Sequence, residues 1–595
     1  MQPTSPRPRR LAPLLALTLL AACGSSDPVP FKPGARLTVK VAPTFAAGTV
    51  LRERYTGQAV TVDASGAVSL TPDPTGVVLL EPATAAAQPF NWANATVYFV
   101  LTDRFLNGDK TNDQSYGRKP DGVQEVGTWH GGDLKGLTSK LDYLKGLGVT
   151  AIWISSVVEQ VHGWVSGGQN GDFKYYPYHG YWALDFTTLD ANLGTPQELH
   201  DLVDAAHAKG LRVLLDVVIN HPGYATGDDL VAYLPELFKD KTGAAFKAFT
   251  PGPGQSWVNW NDLVDYSSSG WVKWWGPKWI RAGFPGFDTP GTDDLTRQLT
   301  FLPDMKTEST EVAPVPAFFA QKAGTGVAGL AGGGTPRQYL ARWHSDWVRQ
   351  YGFDGFRCDT AKNVEVGAWQ ALKAAALQAL AEWKANNPSK KLDDAPFWMT
   401  GEVYGHGLSK DEYYTSGAFD SLINFKFQPA VQALFEKSPD LVKSAAELDS
   451  IYSDIAGLVS TDAAFDVLSY LSSHDTRVFY SLFAYDAGVQ RQAGSALLLA
   501  PGGVQIFYGD ESGRRLGPAS TDSVQGTRSD MNWDTTDAAI LAHWQKLGLF
   551  RKDHPAVGAG VHGKLASPPG TYAFSRTLSK GGVDDKVVVV LTVTK

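Results

Sequence analysis

Eight short apolar runs, each ending in polar or charged residues, recur along the chain from about residue 92: Val97 to Arg104, Val149 to Ser155, Arg212 to His221, Phe353 to Asp359, Phe397 to Glu402, Leu422 to Phe427, Val467 to Asp475 and Gln505 to Glu511. Most are too continuously apolar for a sheet with one wet face, and so predict strands buried on both sides. Between several of them lie amphipathic segments with explicit start and stop signals. Thr195-Pro196-Gln197-Glu198 is a capping box with proline in the first turn, followed by Leu199, Leu202, Val203 and Ala206 on one face and by Gly210 at the stop. Thr335-Pro336-Arg337-Gln338 repeats that grammar, with Leu340, Trp343 and Trp347 on one stripe and Gly352 just before the next strand. Repeated helix-then-strand units predict a parallel sheet, and eight strands predict a closed α/β architecture, the (β/α)8 TIM barrel, over residues 91–221 and 335–550.

Residues 222–334, rich in Gly, Pro and Trp, are too many for a barrel loop and predict an inserted subdomain after the third strand. Short Val/Thr/Leu runs broken by Gly, Pro and Asp predict a small N-terminal β module over residues 35–90. Tyr572 to Ser575 and Val587 to Val590 predict a short antiparallel C-terminal β domain over 551–595.

The chain has 595 residues, enough for two to four domains. Its 53 Lys and Arg against 61 Asp and Glu, without a dense basic run beyond the first ten residues, argue against a nucleic-acid partner. Arg7, Arg9 and Arg10 precede an apolar stretch, Leu11 to Ala22, that is too short to span a bilayer, so residues 1–22 predict a cleaved export signal. Leu20-Ala21-Ala22-Cys23 resembles the bacterial lipoprotein pattern, which implies a lipid on Cys23 and a tether over residues 23–34 as the only membrane contact. The other cysteine is Cys358, in an apolar run, and is expected as a buried small hydrophobe rather than half of a disulfide. A monomer is expected.

In such a barrel the functional groups stand at the C-terminal ends of the strands. Those ends supply Asp216, Asn220 and His221, then Arg357 and Asp359, then Glu402, then His474 and Asp475. Arg357 and Asp359 are two apart on a strand and leave by the same face, where the guanidinium favours an ionised Asp359. Glu402 follows the apolar Phe397 to Thr400 and is expected to be shielded enough to hold its proton. An ionised carboxylate facing a shielded acid is what glycosidic cleavage requires. Single strand-end carboxylates more often cap helices or form ion pairs, but four of them with two histidines form a cluster that points to chemistry.

The segments Asp216 to His221, Gly355 to Lys362, Gly401-Glu402-Val403 and Ser473-His474-Asp475 resemble, in order, the four signature segments of the α-amylase family of glycoside hydrolases. Tyr178 to Trp182 and Leu302-Pro303-Asp304 resemble two more, and Phe301 to Ser309 with Thr527 to Trp533 are similar to bacterial periplasmic members. The resemblance implies retaining hydrolysis of α-1,4-glucans such as starch and maltodextrins. Asp359 would be the nucleophile, Glu402 the general acid/base, and Asp475 the third acid that grips sugar hydroxyls. His179, Tyr181, Asp216, His221, Arg357, Lys362 and His474 would contact or position the substrate. The resemblance also implies calcium (Ca2+), held by Asn220, Asp304 and, through its backbone carbonyl, Asn363, which stands where the family often has histidine. A second oxygen-rich cluster, Asn107, Asp109, Asn112, Asp113, Gly131 and Asp133, is either a further calcium site or an ordinary polar turn. Two other functions share these residues: an α-1,4-glucan transglycosylase with the same acids, which would make chains longer than its substrate, and a non-catalytic glucan-binding lipoprotein, which would need no proton donor facing a nucleophile.

Overall fold

A computed structural model describes residues 35–85, 88–122 and 124–592. The export signal, Cys23 and the tether lie outside the described residues.

Eight strands close into a barrel of parallel neighbours: β1 (Thr96–Val100), β2 (Ala151–Ile154), β3 (Arg212–Val217), β4 (Gly355–Cys358), β5 (Trp398–Gly401), β6 (Ser421–Asn424), β7 (Asp466–Tyr470) and β8 (Gly503–Phe507). All eight overlap the predicted apolar runs, four of them beginning one or two residues earlier, and every residue in them is buried, as a sheet covered by helices on one side and its own packed interior on the other requires. The register sets Asp216 beside Arg357 and Arg357 beside Thr400, so the polar ends of β3, β4 and β5 lie level at one rim.

The helices begin and end where the sequence dictates. Thr195 and Thr335 cap helices Pro196–Ala208 and Pro336–Tyr351, each with a complete capping box. The second stops at Gly352, whose φ of 80° is a left-handed turn open to glycine at little cost. Trp343 of this helix stacks on Trp279 of the inserted segment at 5.5 Å and 6° between ring planes, so the insertion docks onto the barrel through an aromatic pair. Within the insertion Trp260, Trp271, Trp274, Trp275 and Trp279 are all buried, forming a core around short helices and a two-stranded ladder, Ile280–Arg281 with Asp304–Met305.

The structure departs from the sequence reading in two places. Residues 155–195, expected as an ordinary part of the barrel, form a second excursion after β2, with two small antiparallel pairs, Val158–Gln160 with Ala183–Leu189 and Val165–Gly167 with Phe173–Tyr175. The N-terminal and C-terminal β segments also share one six-stranded sheet, in which Val77–Pro82 pairs with Val583–Thr592 and sets Leu80 opposite Val588. That pairing explains the unbroken Val587 to Val590 run. Val587, Val589, Val77 and Leu79 face the barrel core, while Val588, Val590, Val78 and Leu80 face a smaller core with Leu37, Val39 and Val68. A sheet wet on one side would alternate, whereas this one is dry on both.

Candidate active site

The rim formed by the ends of β3, β4, β5 and β7 brings the expected acids together around one guanidinium. Arg357 Nη1 donates to Asp359 Oδ1 at 2.7 Å and to Asp216 Oδ1 at 3.0 Å, while its Nη2 lies 3.1 Å from Glu402 Oε2. Asp359 and Glu402 therefore flank a single planar fork, close enough for one side chain to hold both. The Thr360 backbone N–H also donates to Glu402 Oε2, at 3.0 Å.

The electrostatics separate the acids. Burial pushes Glu402 well above the usual carboxylate range; Arg357 opposes this, and the neighbouring Asp359 and Asp475 add to it. Burial also opposes ionisation of Asp475, but His474, 3.0 Å away, and Arg528, at 2.9 Å, outweigh it and hold Asp475 well below the usual range. The cluster thus contains a carboxyl that keeps its proton beside one that does not.

The Tyr181 ring lies nearly parallel to those of His179 and His474, with centroids 5.4 Å and 5.3 Å away. Burial holds His179, His221 and His474 below the usual imidazole range, so all three are neutral near pH 7. His179 Nε2, His221 Nε2 and His474 Nδ1 are buried without a hydrogen-bond partner among the described residues, a state that a polyhydroxylated ligand can relieve. Lys362 stands at the edge of this group, 3.2 Å from Asp294 of the inserted segment.

Asp216 requires a correction. It is fully buried and accepts from Arg357, from the Tyr181 hydroxyl at 2.8 Å and from the Trp153 indole at 3.0 Å, and burial raises its pKa to about 6. Its full burial keeps it from the open rim, so Asp216 positions Arg357 and Tyr181 from behind. Sequence reasoning missed Trp153 in that role. It also missed Arg528, whose Nε donates to the His474 carbonyl at 3.1 Å and whose Nη1 donates to the Tyr175 hydroxyl at 2.6 Å. The one available signal for Arg528 was its place in the segment Thr527 to Trp533.

The two expected calcium sets fare differently. Among the described residues no three His, Cys, Asp or Glu side chains converge as a metal site, so any cation must use amide and main-chain oxygens as well. Asp304, expected as a ligand, is closed by Arg281, whose guanidinium also bonds Glu308. The Asn363 amide N–H donates to the Asp294 carbonyl at 2.7 Å, and the Asn220 amide lies 3.1 Å from His221 Nδ1. Arg281 therefore competes with a calcium ion for the Asp304 carboxylate.

The cluster after β1 does fit one. Asn107 Oδ1 and Asn112 Oδ1 are buried without a hydrogen-bond partner among the described residues, and Asn107 Nδ2 donates to Asp113 Oδ1 at 2.7 Å. Asp133 accepts from the backbone N–H groups of Gly108, Asp109 and Gly136, and Asp109 bonds Thr111. A Cβ on Gly131 would come within 2.5 Å of Asp113 Oδ1, so only glycine lets the loops close here.

The α-amylase catalytic-domain family matches the chain over residues 99–250 and 335–546. The periplasmic α-amylase of Escherichia coli (strain K12) is 49% identical over 587 residues, covering 96% of this chain and 82% of that protein. An α-amylase of Streptomyces lividans is 30% identical over 77% of this chain and 51% of its own length. Among solved structures, an α-amylase from Geobacillus thermoleovorans complexed with acarbose shares the fold with a TM-score of 0.53, at 22% identity over 83% of this chain and 86% of that one. Barrel, strand-end acids and sequence agree that the chain belongs to the α-amylase family of glycoside hydrolases, which act on α-1,4-glucans.

Proposed function

We propose that Asp359 and Glu402 carry out a retaining hydrolysis of α-1,4-glucosidic bonds in starch and maltodextrins. The observation that supports this reading is the Arg357 fork between the two carboxyl groups, together with the opposite charge states favoured for Glu402 and Asp475. The Asp359 carboxylate attacks the anomeric carbon as the glycosidic C–O bond breaks, and the leaving oxygen takes the Glu402 proton. The Glu402 carboxylate then takes a proton from water, whose oxygen attacks the anomeric carbon and returns Asp359. Asp475, His221 and His474 hold sugar hydroxyls, and Tyr181 with His179 stacks on the sugar ring. Two displacements preserve configuration, so fresh products of maltoheptaose hydrolysis are expected as α-anomers by proton NMR. Initial β-anomers would end the double-displacement assignment.

Asn107, Asn112, Asp113 and Asp133 with the Gly131 backbone would hold calcium, which would tie the loop after β1 to the loop before the next helix. Exhaustive chelation is expected to lower the melting temperature, since a ligand at a hundredfold excess over its Kd contributes about 2.7 kcal/mol. The Asn107→Ala protein should lose that sensitivity, whereas Arg281→Met should retain it. An unchanged melting curve of the wild type after chelation counts against the ion.

Export to the periplasm is supported by the N-terminal signal pattern and by the 49% identical periplasmic relative. Lipidation of Cys23 and a monomeric state complete the reading; no helix among the described residues is long and apolar enough to cross a membrane.

A further inference from the structure

Two successive backbone N–H groups, those of Thr360 and Ala361, both donate to Glu402: the first to the side-chain Oε2 at 3.0 Å, the second to the main-chain carbonyl at 2.8 Å. In an extended strand successive N–H groups point to opposite sides, and the chain keeps to this through the end of β4. There the Cys358 carbonyl accepts from the Glu402 N–H on one side, and the Asp359 N–H donates to the Val217 carbonyl on the other, each at 2.9 Å. The break that turns Ala361 back towards Glu402 is Thr360 itself, at φ 49° and ψ 38°. That left-handed conformation is open to glycine at little cost but is a strained outlier for a β-branched residue. The Thr360 hydroxyl is buried without a hydrogen-bond partner among the described residues, so the side chain adds no local bond that would offset the strain. Strain of this kind persists where surrounding bonds over-determine it, and here those bonds converge on Glu402.

The first of these N–H groups shares its acceptor with Arg357. Glu402 Oε2 lies 3.0 Å from the Thr360 nitrogen and 3.1 Å from Arg357 Nη2. A backbone N–H and a guanidinium donate and cannot accept, so a proton on Oε2 would face two donors. The proton of Glu402 therefore belongs on Oε1. We propose that Thr360 is a positioning residue for the acid: its left-handed turn holds the N–H on Oε2, and so leaves Oε1 to carry the proton that passes to the leaving oxygen. The proposal rests on the reading of Glu402 as general acid, and adds which of its oxygens acts and what fixes that choice.

Replacing the Thr360 N–H by an ester oxygen, with the α-hydroxy acid analogue of threonine at that position of the full chain, removes the donor and keeps the side chain. A hydrogen bond to the carboxylate favours its charged form, so losing the bond raises the Glu402 pKa. Arg357 and Asp359 at the end of β4, Asp475 in the loop after β7 and Tyr470 on β7 also face Glu402, and the ester alters none of them. The alkaline limb of kcat/KM for maltoheptaose is expected to move up by about one pH unit, the size of a hydrogen bond to a charged group. An ester in place of the Ala361 N–H removes the bond to the main-chain carbonyl instead, and should weaken the backbone while leaving the limb in place. A limb unmoved by the Thr360 ester, or moved alike by both esters, overturns the proposal. Thr360→Gly keeps the N–H and takes a positive φ freely, so it should keep the limb and melt at or above the wild-type temperature. A lower melting temperature would show that no strain is held at the turn, and would overturn its role. A Glu402→Gln protein that retains the wild-type alkaline limb would instead overturn the catalytic reading itself.

Discussion

The Asp359→Asn protein is expected to bind α-glucan and to lose on the order of 10⁴-fold or more of kcat with every substrate, because no other group can form the glycosyl ester. The substitution keeps the size of the side chain and an oxygen for Arg357 Nη1, so the fork to Glu402 should persist. Glu402→Gln is expected to behave differently. With maltoheptaose it should lose about 10²- to 10⁴-fold, the usual worth of a positioned proton donor. With α-maltosyl fluoride, whose leaving group needs no proton, formation of the ester should be largely restored, and only its hydrolysis should remain slow. The raised pKa of Glu402 carries a further sign: the acid stays competent as pH rises past the ordinary carboxylate range, and wild-type kcat/KM falls on the alkaline side as that proton is lost. The Gln protein should lack that alkaline fall with the fluoride substrate. Equal losses on glucan and fluoride would remove Glu402 from the role of acid.

The barrel was legible because strands covered on both sides read as continuous apolar runs, and the site was legible because a barrel exposes its strand ends at one rim. That rule places Asp359 and Glu402 among the strand-end residues, and their roles are what the family resemblance implies. What stayed hidden depends on partners remote in sequence. Arg528 reaches Asp475 from the loop after β8, and nothing local marks that arginine as an ion-pair partner. Asp216 reads like its neighbours at the strand ends, yet Trp153 and Tyr181 reach its Oδ2 from another strand and a loop and bury it. Arg281 stands far from Asp304 in sequence, and only their two-residue ladder brings the guanidinium onto a carboxylate expected to bind calcium. The shared terminal sheet was invisible for the same reason. A strand at Val77–Pro82 carries no information about an edge supplied by Val583–Thr592, so each segment read as a module of its own.

A buried imidazole is one of the groups that fasten that shared sheet to the barrel, and its removal has the largest expected effect on stability. His554, at the end of helix Ala538–Asp553, bonds Asp585 Oδ1 at 2.8 Å through Nδ1 and Glu81 Oε2 at 2.5 Å through Nε2, so it joins the C-terminal and N-terminal strands at once. Arg52 and Arg54 also bond Glu81. Burial alone would lower the His554 pKa, but hydrogen bonds and charge from Asp585 and Glu81 raise it to about 9. Glu81 moves the other way: burial opposes ionisation, yet His554 and Arg52 bring it down to about 2. Because the folded imidazole binds its proton more tightly than the unfolded one, its contribution of about 3 kcal/mol is complete below its ordinary pKa and is lost as pH rises through about 9. The contribution of Glu81 is complete above its ordinary pKa and is lost as pH falls towards about 2. His554→Ala leaves Asp585 and Glu81 buried without their shared cation, a change that costs about 3–5 kcal/mol. Calorimetric melting of wild type and His554→Ala from about pH 5 to about pH 10 should give the widest gap at the acid end, closing as wild type loses the proton. A gap that stays constant across that range would mean that His554 contributes packing alone, and that the ionic part of the attachment lies in other pairs such as Arg54 with Asp553.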